Sequence, residues 1–297
     1  MRRMAMPLAV AAAVLGLASG GGADEAYRAT VKKWRDEREA RLKADGGWLS
    51  VAGLSWLMPG ENRFGTDKAA AVVLPEGSAP PFAGVFELKG TETTLRLAEG
   101  TLARMAGLPL AGRAVLRPDS GDVIELGSVS LQVIERGGRY GIRLKDKNAA
   151  ARREFTGCRW YEIKEAYRIE AKWIAHRQAR PLKVPNILGQ TESMPSPGYA
   201  EFSVGGKLVR LDGVLETPQS TQLWFILRDQ TSGQETYPAG RFLYAELPKA
   251  GKVMLDFNKS YNPPCAFTAY ATCPLPPPQN WMPVRIEAGE LNYGTHR

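Results

Sequence analysis

The sequence predicts a mainly β fold of antiparallel sheets, barrel-like in arrangement, with one N-terminal helix. Three observations carry that expectation. Short apolar runs bounded by Gly, Pro or Asp recur from Ala69 onward. Glycine pairs at Gly137-Gly138 and Gly205-Gly206 separate alternating runs, a strong hairpin signal. Helical spacing of apolar residues is confined to Asp24–Ala44, where Tyr27, Val31, Trp34 and Leu42 stand among charges and Gly46-Gly47 follows as a stop. The chain has 297 residues, 44% of them hydrophobic and 24% charged, enough for one large domain or two small ones.

Residues 1–23 read as a secretory signal peptide: Arg2-Arg3, an apolar run over Met4–Ala18, then small residues to Ala23. The apolar run is short for a membrane span. The expectation is a soluble exported protein, periplasmic, with cleavage after Ala23 or Gly20. Residues 24–150 form a first half. After the helix, Trp48–Leu57 is an apolar stretch closed by Pro59-Gly60, in which Trp48 and Trp56 serve as buried anchors or line a pocket. Short strands follow at 70–74, 85–89, 93–98, 114–117 and 123–126, and 129–135 pairs with 140–144. In that hairpin Leu131 faces Leu144 and Val133 faces Ile142, with Gln132 and Arg143 on the other side. The polar run Lys145–Arg153 reads as the hinge.

The second half, 151–297, opens at Phe155–Trp160 and continues in a strand at Tyr167–Ile174. Pro181–Gly198 holds four prolines and reads as loop. Tyr199–Val204 and Lys207–Leu211 make a hairpin. Gln222–Arg228 is apolar on both faces, as a central strand would be. Phe242–Leu247 and Lys252–Asn258, joined by Pro248-Lys249-Ala250-Gly251, read as a further hairpin. With Leu247 opposite Lys252, Arg241 faces Asn258 and is a diagonal neighbour of Asp256. A polar corner results, leading into the stiff loop through Tyr261, Asn262, Pro263 and Pro264. That corner is a ligand-facing site or a buried ion pair that fixes the turn.

The 39 basic and 31 acidic residues give a net charge of +8, or +6 once Arg2 and Arg3 are removed. The basic residues are scattered, so a solvated surface is the first reading and contact with an anionic envelope polymer the second. Export argues against nucleic acid. An exported chain permits disulfides. Seven residues separate Cys265 from Cys273, a spacing that can close a loop and leave Cys158 unpaired, although a Cys158–Cys265 pairing is also open.

Four blocks, GWLSVAGLSWLMPGENRFGTD (47–67), DQTSGQETYPAGRFLYAELP (229–248), LDFNKSYNPPCAFTAYATCPLPPPQNW (255–281) and EAGE (287–290), resemble the bacterial family known as domain of unknown function 1684. The resemblance implies that Asp229, Tyr237, Arg241, Asp256, Asn258, Tyr261, Asn262, Cys265, Cys273, Asn280 and Glu290 belong to the family pattern. It implies no activity.

Two histidines, His176 and His296, and no paired ligand spacing argue against a His-based metal centre. No cofactor motif is present, and no G-x-S-x-G or S-x-x-K pattern supplies a nucleophile. What remains is an Asp, Arg, Tyr and Asn cluster late in the chain. The first reading is binding of a small polar or anionic ligand by Arg241, Asn258, Tyr261, Asn262, Tyr237 and Glu290. The second is a hydrolase with Asp256 or Asp229 as acid or base and Arg241 with Asn258 stabilising negative charge. The third is a structural envelope protein.

Overall fold

The computed structural model describes residues 20–294. The signal-peptide segment up to Ser19 and His296 lie outside the described residues. Helix α1 (Gly20–Lys43) turns Tyr27, Val31 and Leu42 inward, as their spacing requires. The strands follow in order. β1 (Val51–Trp56), β2 (Gly60–Gly65), β3 (Val72–Val73), β4 (Gly84–Lys89), β5 (Glu92–Leu97) and β6 (Arg104–Met105) come first. β7 (Leu108–Pro109), β8 (Arg113–Leu116), β9 (Val123–Leu126), β10 (Val129–Arg136) and β11 (Arg139–Asp146) complete the first half. β12 (Arg168–Pro185), β13 (Thr191–Val204), β14 (Lys207–Gly213), β15 (Gln222–Leu227), β16 (Arg241–Glu246) and β17 (Lys252–Asp256) form the second.

The first half makes two sheets, ordered β1-β11-β10-β9-β6-β7 and β3-β2-β4-β5-β8. Phe64, Phe86, Leu95, Leu131 and Ile142 fill the space between them. Most neighbours are antiparallel, and β2–β3 is a parallel pair. The β10–β11 hairpin has the expected register, Leu131 with Leu144, Gln132 with Arg143 and Val133 with Ile142. Gly137 and Gly138 take φ of 56° and 79°, the turn a tight hairpin needs. The second half makes sheets ordered β14-β13-β12-β17 and β15-β16, packed through Leu211, Phe225, Leu243, Leu255 and Phe257. Among the described residues no sheet closes into a barrel, because in none is the first strand of the order paired with the last.

Helix α1 lies against the second half, although the sequence groups it with the first. Tyr27 reaches Asp256, Arg35 reaches the Tyr161 carbonyl, and Arg38 reaches Glu290. No strand covers Phe155–Trp160 apart from a bridge at Trp160 to Glu290. Pro181–Gly198 is not loop: β12 runs to Pro185, and β13 returns from Thr191. Beyond the register shift between Ala175 and Arg180 these strands form a two-stranded arm. Each has an outer edge there, which tolerates a missing proline N–H.

The expected pairing of 242–247 with 252–258 does not form. A tight turn exists, with Lys249 and Lys252 exchanging backbone hydrogen bonds at 2.9 and 3.0 Å. Beyond it the strands separate, β16 pairing with β15 and β17 with β12. The other edge of β16 is taken by Tyr261, whose backbone exchanges hydrogen bonds with Phe242 at 2.8 and 2.9 Å. Leu243 and Ala245 then pack against Val253 and Leu255 in one core, whereas Phe242 and Tyr244 face the opposite side.

Candidate functional site

The splayed corner dissolves the expected Arg241–Asp256 pair and gives each residue a different environment. Arg241 has no exposed surface. Its guanidinium donates to Asp229 Oδ2 at 2.5 Å, to the Ile286 carbonyl at 3.0 Å and to the Ala288 carbonyl. The side chain of Asp229 is fully buried too, and its Oδ1 accepts from the Thr231 N–H at 2.6 Å. This ion pair ties the 229–236 turn to the C-terminal segment.

Asn258, Asn262 and Glu290 form a second buried set. Glu290 accepts from Arg38 Nε at 2.8 Å, from the Asn262 N–H at 3.0 Å and from Asn262 Nδ2 at 3.1 Å. Asn258 accepts from the Lys164 N–H and donates to its carbonyl. Tyr237 packs beside Phe267 and Leu42, where burial pushes its phenol up to about 12. Asn280 clamps Asp212 and Ile226 through backbone groups.

A cavity of about 1240 Å³ lies in front of this network, between α1, the first half and the second. Two sequence-derived site residues line it, Asp256 and Tyr261, together with Cys273. Asp256 Oδ1 accepts from the Tyr27 hydroxyl at 2.8 Å and Asn258 Nδ2 at 3.3 Å, and Lys259 Nζ stands 3.5 Å from Oδ2. Arg38 lies 4.3 Å over the Tyr261 ring, and burial raises the Tyr261 phenol above its ordinary range. Asp229, Tyr237, Arg241, Asn258, Asn262, Cys265 and Glu290 stand outside the lining.

The opposite wall comes from the first half. Arg143, on β11, reaches across to the second-half face, 5.1 Å over the Trp48 ring. It is 7% exposed, and its Nε and Nη2 find no hydrogen-bond partner among the described residues. Burial, with Arg136 nearby, lowers its affinity for a proton. Trp224 on β15 also lines the cavity, is 8% exposed, and has an indole N–H equally without a partner. Buried donors normally find acceptors, so unmet donors on two residues of opposite cavity walls, packed beneath the surface, are unusual. Tyr244 stacks between Trp224 and Tyr261, with centroids 6.1 and 6.2 Å away and interplanar angles of 14° and 19°.

The cysteines are free thiols, where the sequence leads one to expect a bonded Cys265–Cys273 pair. The two are nonetheless neighbours, with the Cys265 N–H donating to Cys273 Sγ at 3.2 Å. Their mutual hydrogen bond lowers the Cys265 thiol and raises that of Cys273. Cys158 is packed away, its thiol raised by burial. His176 lies against Tyr199, on a smaller cavity of about 460 Å³ with Arg180 and Asp212. Among the described residues no group of three or more His, Cys, Asp or Glu side chains is placed to hold a metal, and no helix is long and apolar enough to cross a membrane.

Fold and site together describe a mainly β protein with a basic, aromatic-walled cavity between its halves. Residues 153–291 match the family model DUF1684, described as a protein of unknown function. The match covers the second half, with Trp224, Tyr244, Asp256 and Tyr261. The block 47–67, Arg143 and Trp48 lie outside it. No curated protein matches the chain. Among solved structures it is similar to the solution NMR structure of the uncharacterized protein from gene locus rrnAC0354 of Haloarcula marismortui. Identity there is 28%, over 47% of this chain and 78% of that one, with a TM-score of 0.41.

Proposed function

We propose that the protein binds a small anionic ligand in the cavity between its halves, held by the basic side chains of its lining, Arg143 among them. The observation that carries this reading is the charge of the lining, where Arg38, Arg41, Arg136, Arg143, Arg168, Lys249, Lys252 and Lys259 stand against Glu170, Glu216, Glu246 and Asp256. A ligand carboxylate or phosphate there would meet charge-assisted hydrogen bonds from guanidinium groups. Aromatic walls with a few convergent polar groups are the usual make-up of a ligand cavity. Asp256 and Tyr261 contribute to the wall, while Arg241, Asp229, Asn258, Asn262 and Glu290 hold it from behind.

Native mass spectrometry of the purified full chain tests this. The expected result is a mass excess that is lost on denaturation and absent from a folded Arg143→Met variant. An Arg143→Met protein that retains the same adduct would overturn the proposal. The hydrolytic alternative keeps one of its named groups on the cavity, Asp256, whose side chain is 12% exposed.

Export is a separate part of the proposal. Edman sequencing of protein recovered from the periplasm should begin near Asp24, and a sequence that begins at Met1 would overturn it.

A further inference from the structure

We infer that Cys265 and Cys273 form a two-thiolate site for a soft monovalent metal ion, copper(I), with Arg143 as its counter-charge. The site goes beyond the anion-binding reading, which uses no thiol. Both backbones are held before any ion arrives. Cys265 sits in the single turn Pro264–Ala266, where Pro263 and Pro264 stiffen the chain, and the Cys273 carbonyl accepts from the Ile187 N–H at 3.0 Å. The Cys265 N–H donates to Cys273 Sγ at 3.2 Å, so the two residues stand side by side with no bond between their sulfurs. Cys273 lines the large cavity and Cys265 is half-buried, which gives an ion a route to the pair.

Two features of the surroundings select the ion. The first is charge. A metal bridging two thiols releases both their protons, and copper(I) with two thiolates carries one net negative charge. Arg143 is the buried cation that balances it. The guanidinium is 7% exposed, has no carboxylate beside it, and leaves Nε and Nη2 unmet among the described residues. It acts on the thiols through space: Arg143 favours the thiolate of each cysteine, and each thiolate favours the charged guanidinium. The second feature is ligand number. Among the described residues no third His, Cys, Asp or Glu joins the pair in a metal-holding group. Structural zinc takes four such ligands, and calcium and magnesium take oxygen. Thiolates are soft ligands that select copper(I), and two of them satisfy it.

Anaerobic titration of the reduced full chain with copper(I), buffered by bicinchoninate, tests the site. One copper per chain is expected, with two sulfur ligands in X-ray absorption. Copper should protect Cys265 and Cys273 from alkylation and leave the labelling of Cys158 unchanged. Cys265→Ser and Cys273→Ser should each lose the ion, and Cys158→Ser should keep it. Arg143→Leu should weaken binding by about 10–100-fold, as loss of an outer-shell partner does. Copper held at full stoichiometry by both serine variants, or a wild-type chain that takes none from bicinchoninate, would overturn the site. An Arg143→Leu protein with unchanged affinity would overturn the counter-charge. Where a serine variant fails to fold, the wild-type chain decides: equal alkylation of Cys265 and Cys273 with and without copper contradicts the inference.

Discussion

Arg143 and Arg241 are both buried, yet their guanidinium groups meet opposite surroundings. Arg241 leaves its Nε unmet but is matched at both Nη atoms by a carboxylate and two carbonyls, whereas Arg143 has neither a carboxylate nor a carbonyl partner and leaves Nε and Nη2 unmet among the described residues. The same substitution should therefore act in opposite directions. Arg241→Met strands the Asp229 carboxylate and should lower stability by about 3–5 kcal/mol. Arg143→Met removes an unmet buried charge and should raise the stability of ligand-free protein by about 1–3 kcal/mol. Urea unfolding of both variants measures this, and equal losses would make Arg143 a structural residue like Arg241. The sequence makes both arginines visible but not the difference between them. An arginine with a partner and one without are the same letter, and the partners of Arg241 lie in turns and carbonyls up to 47 residues away.

At the scale of elements, the 287–290 segment shows how backbone conformation positions the network. Gly289 has φ of 83°, and a Cβ there would come within 2.1 Å of Ser260 Oγ and 2.5 Å of its carbonyl oxygen. The next residue, Glu290, can then enter the pocket of Arg38 and Asn262. Gly289→Ala should cost well over about 1 kcal/mol, beyond the conformational term alone. Thermal unfolding checks it, and an unchanged midpoint would mean the segment relaxes freely. Elements were legible in the sequence wherever glycine pairs and alternation act locally, as in β10–β11 and β13–β14. The pairing of β16 was not, because its alternation serves any neighbour. What decides it is Tyr261 occupying one edge and β15 the other. The prolines of β12 and β13 misled for a related reason: their cost depends on whether the strand has a free edge.

At the scale of the whole molecule, four phenols with raised proton affinity are spread from α1 to the C-terminal loop, Tyr244 and Tyr261 on the cavity lining and Tyr27 and Tyr237 outside it. Tyr27, Tyr237, Tyr244 and Tyr261 are all raised above the ordinary value of 10.0, in each case by burial first. A neutral phenol favoured by the fold stabilises it fully below pH 10.0, and that stability is lost as pH rises through the folded values, about 12 for Tyr237. Of the ten tyrosines, these four should ionise only as the fold opens. Absorbance at 295 nm read beside near-ultraviolet circular dichroism should show a late, cooperative step. Smooth titration of all ten near pH 10 with the fold intact would contradict it. The cavity itself was only partly readable. Trp48 as a pocket wall and Arg143 on the polar face of its hairpin could be placed, but not their meeting with Trp224, which depends on how the halves dock.

Trp224 provides the most direct report on the anion site, because it lines the cavity and its buried indole N–H has no protein acceptor among the described residues to hold its signal. In a proton–nitrogen correlation spectrum of the full chain, the Trp224 indole signal is assigned by its disappearance in Trp224→Phe. Titration with inorganic phosphate should move that signal, and Arg143→Met should abolish the shift. A Trp224 signal that stays fixed while phosphate binds would place the anion elsewhere and contradict the account.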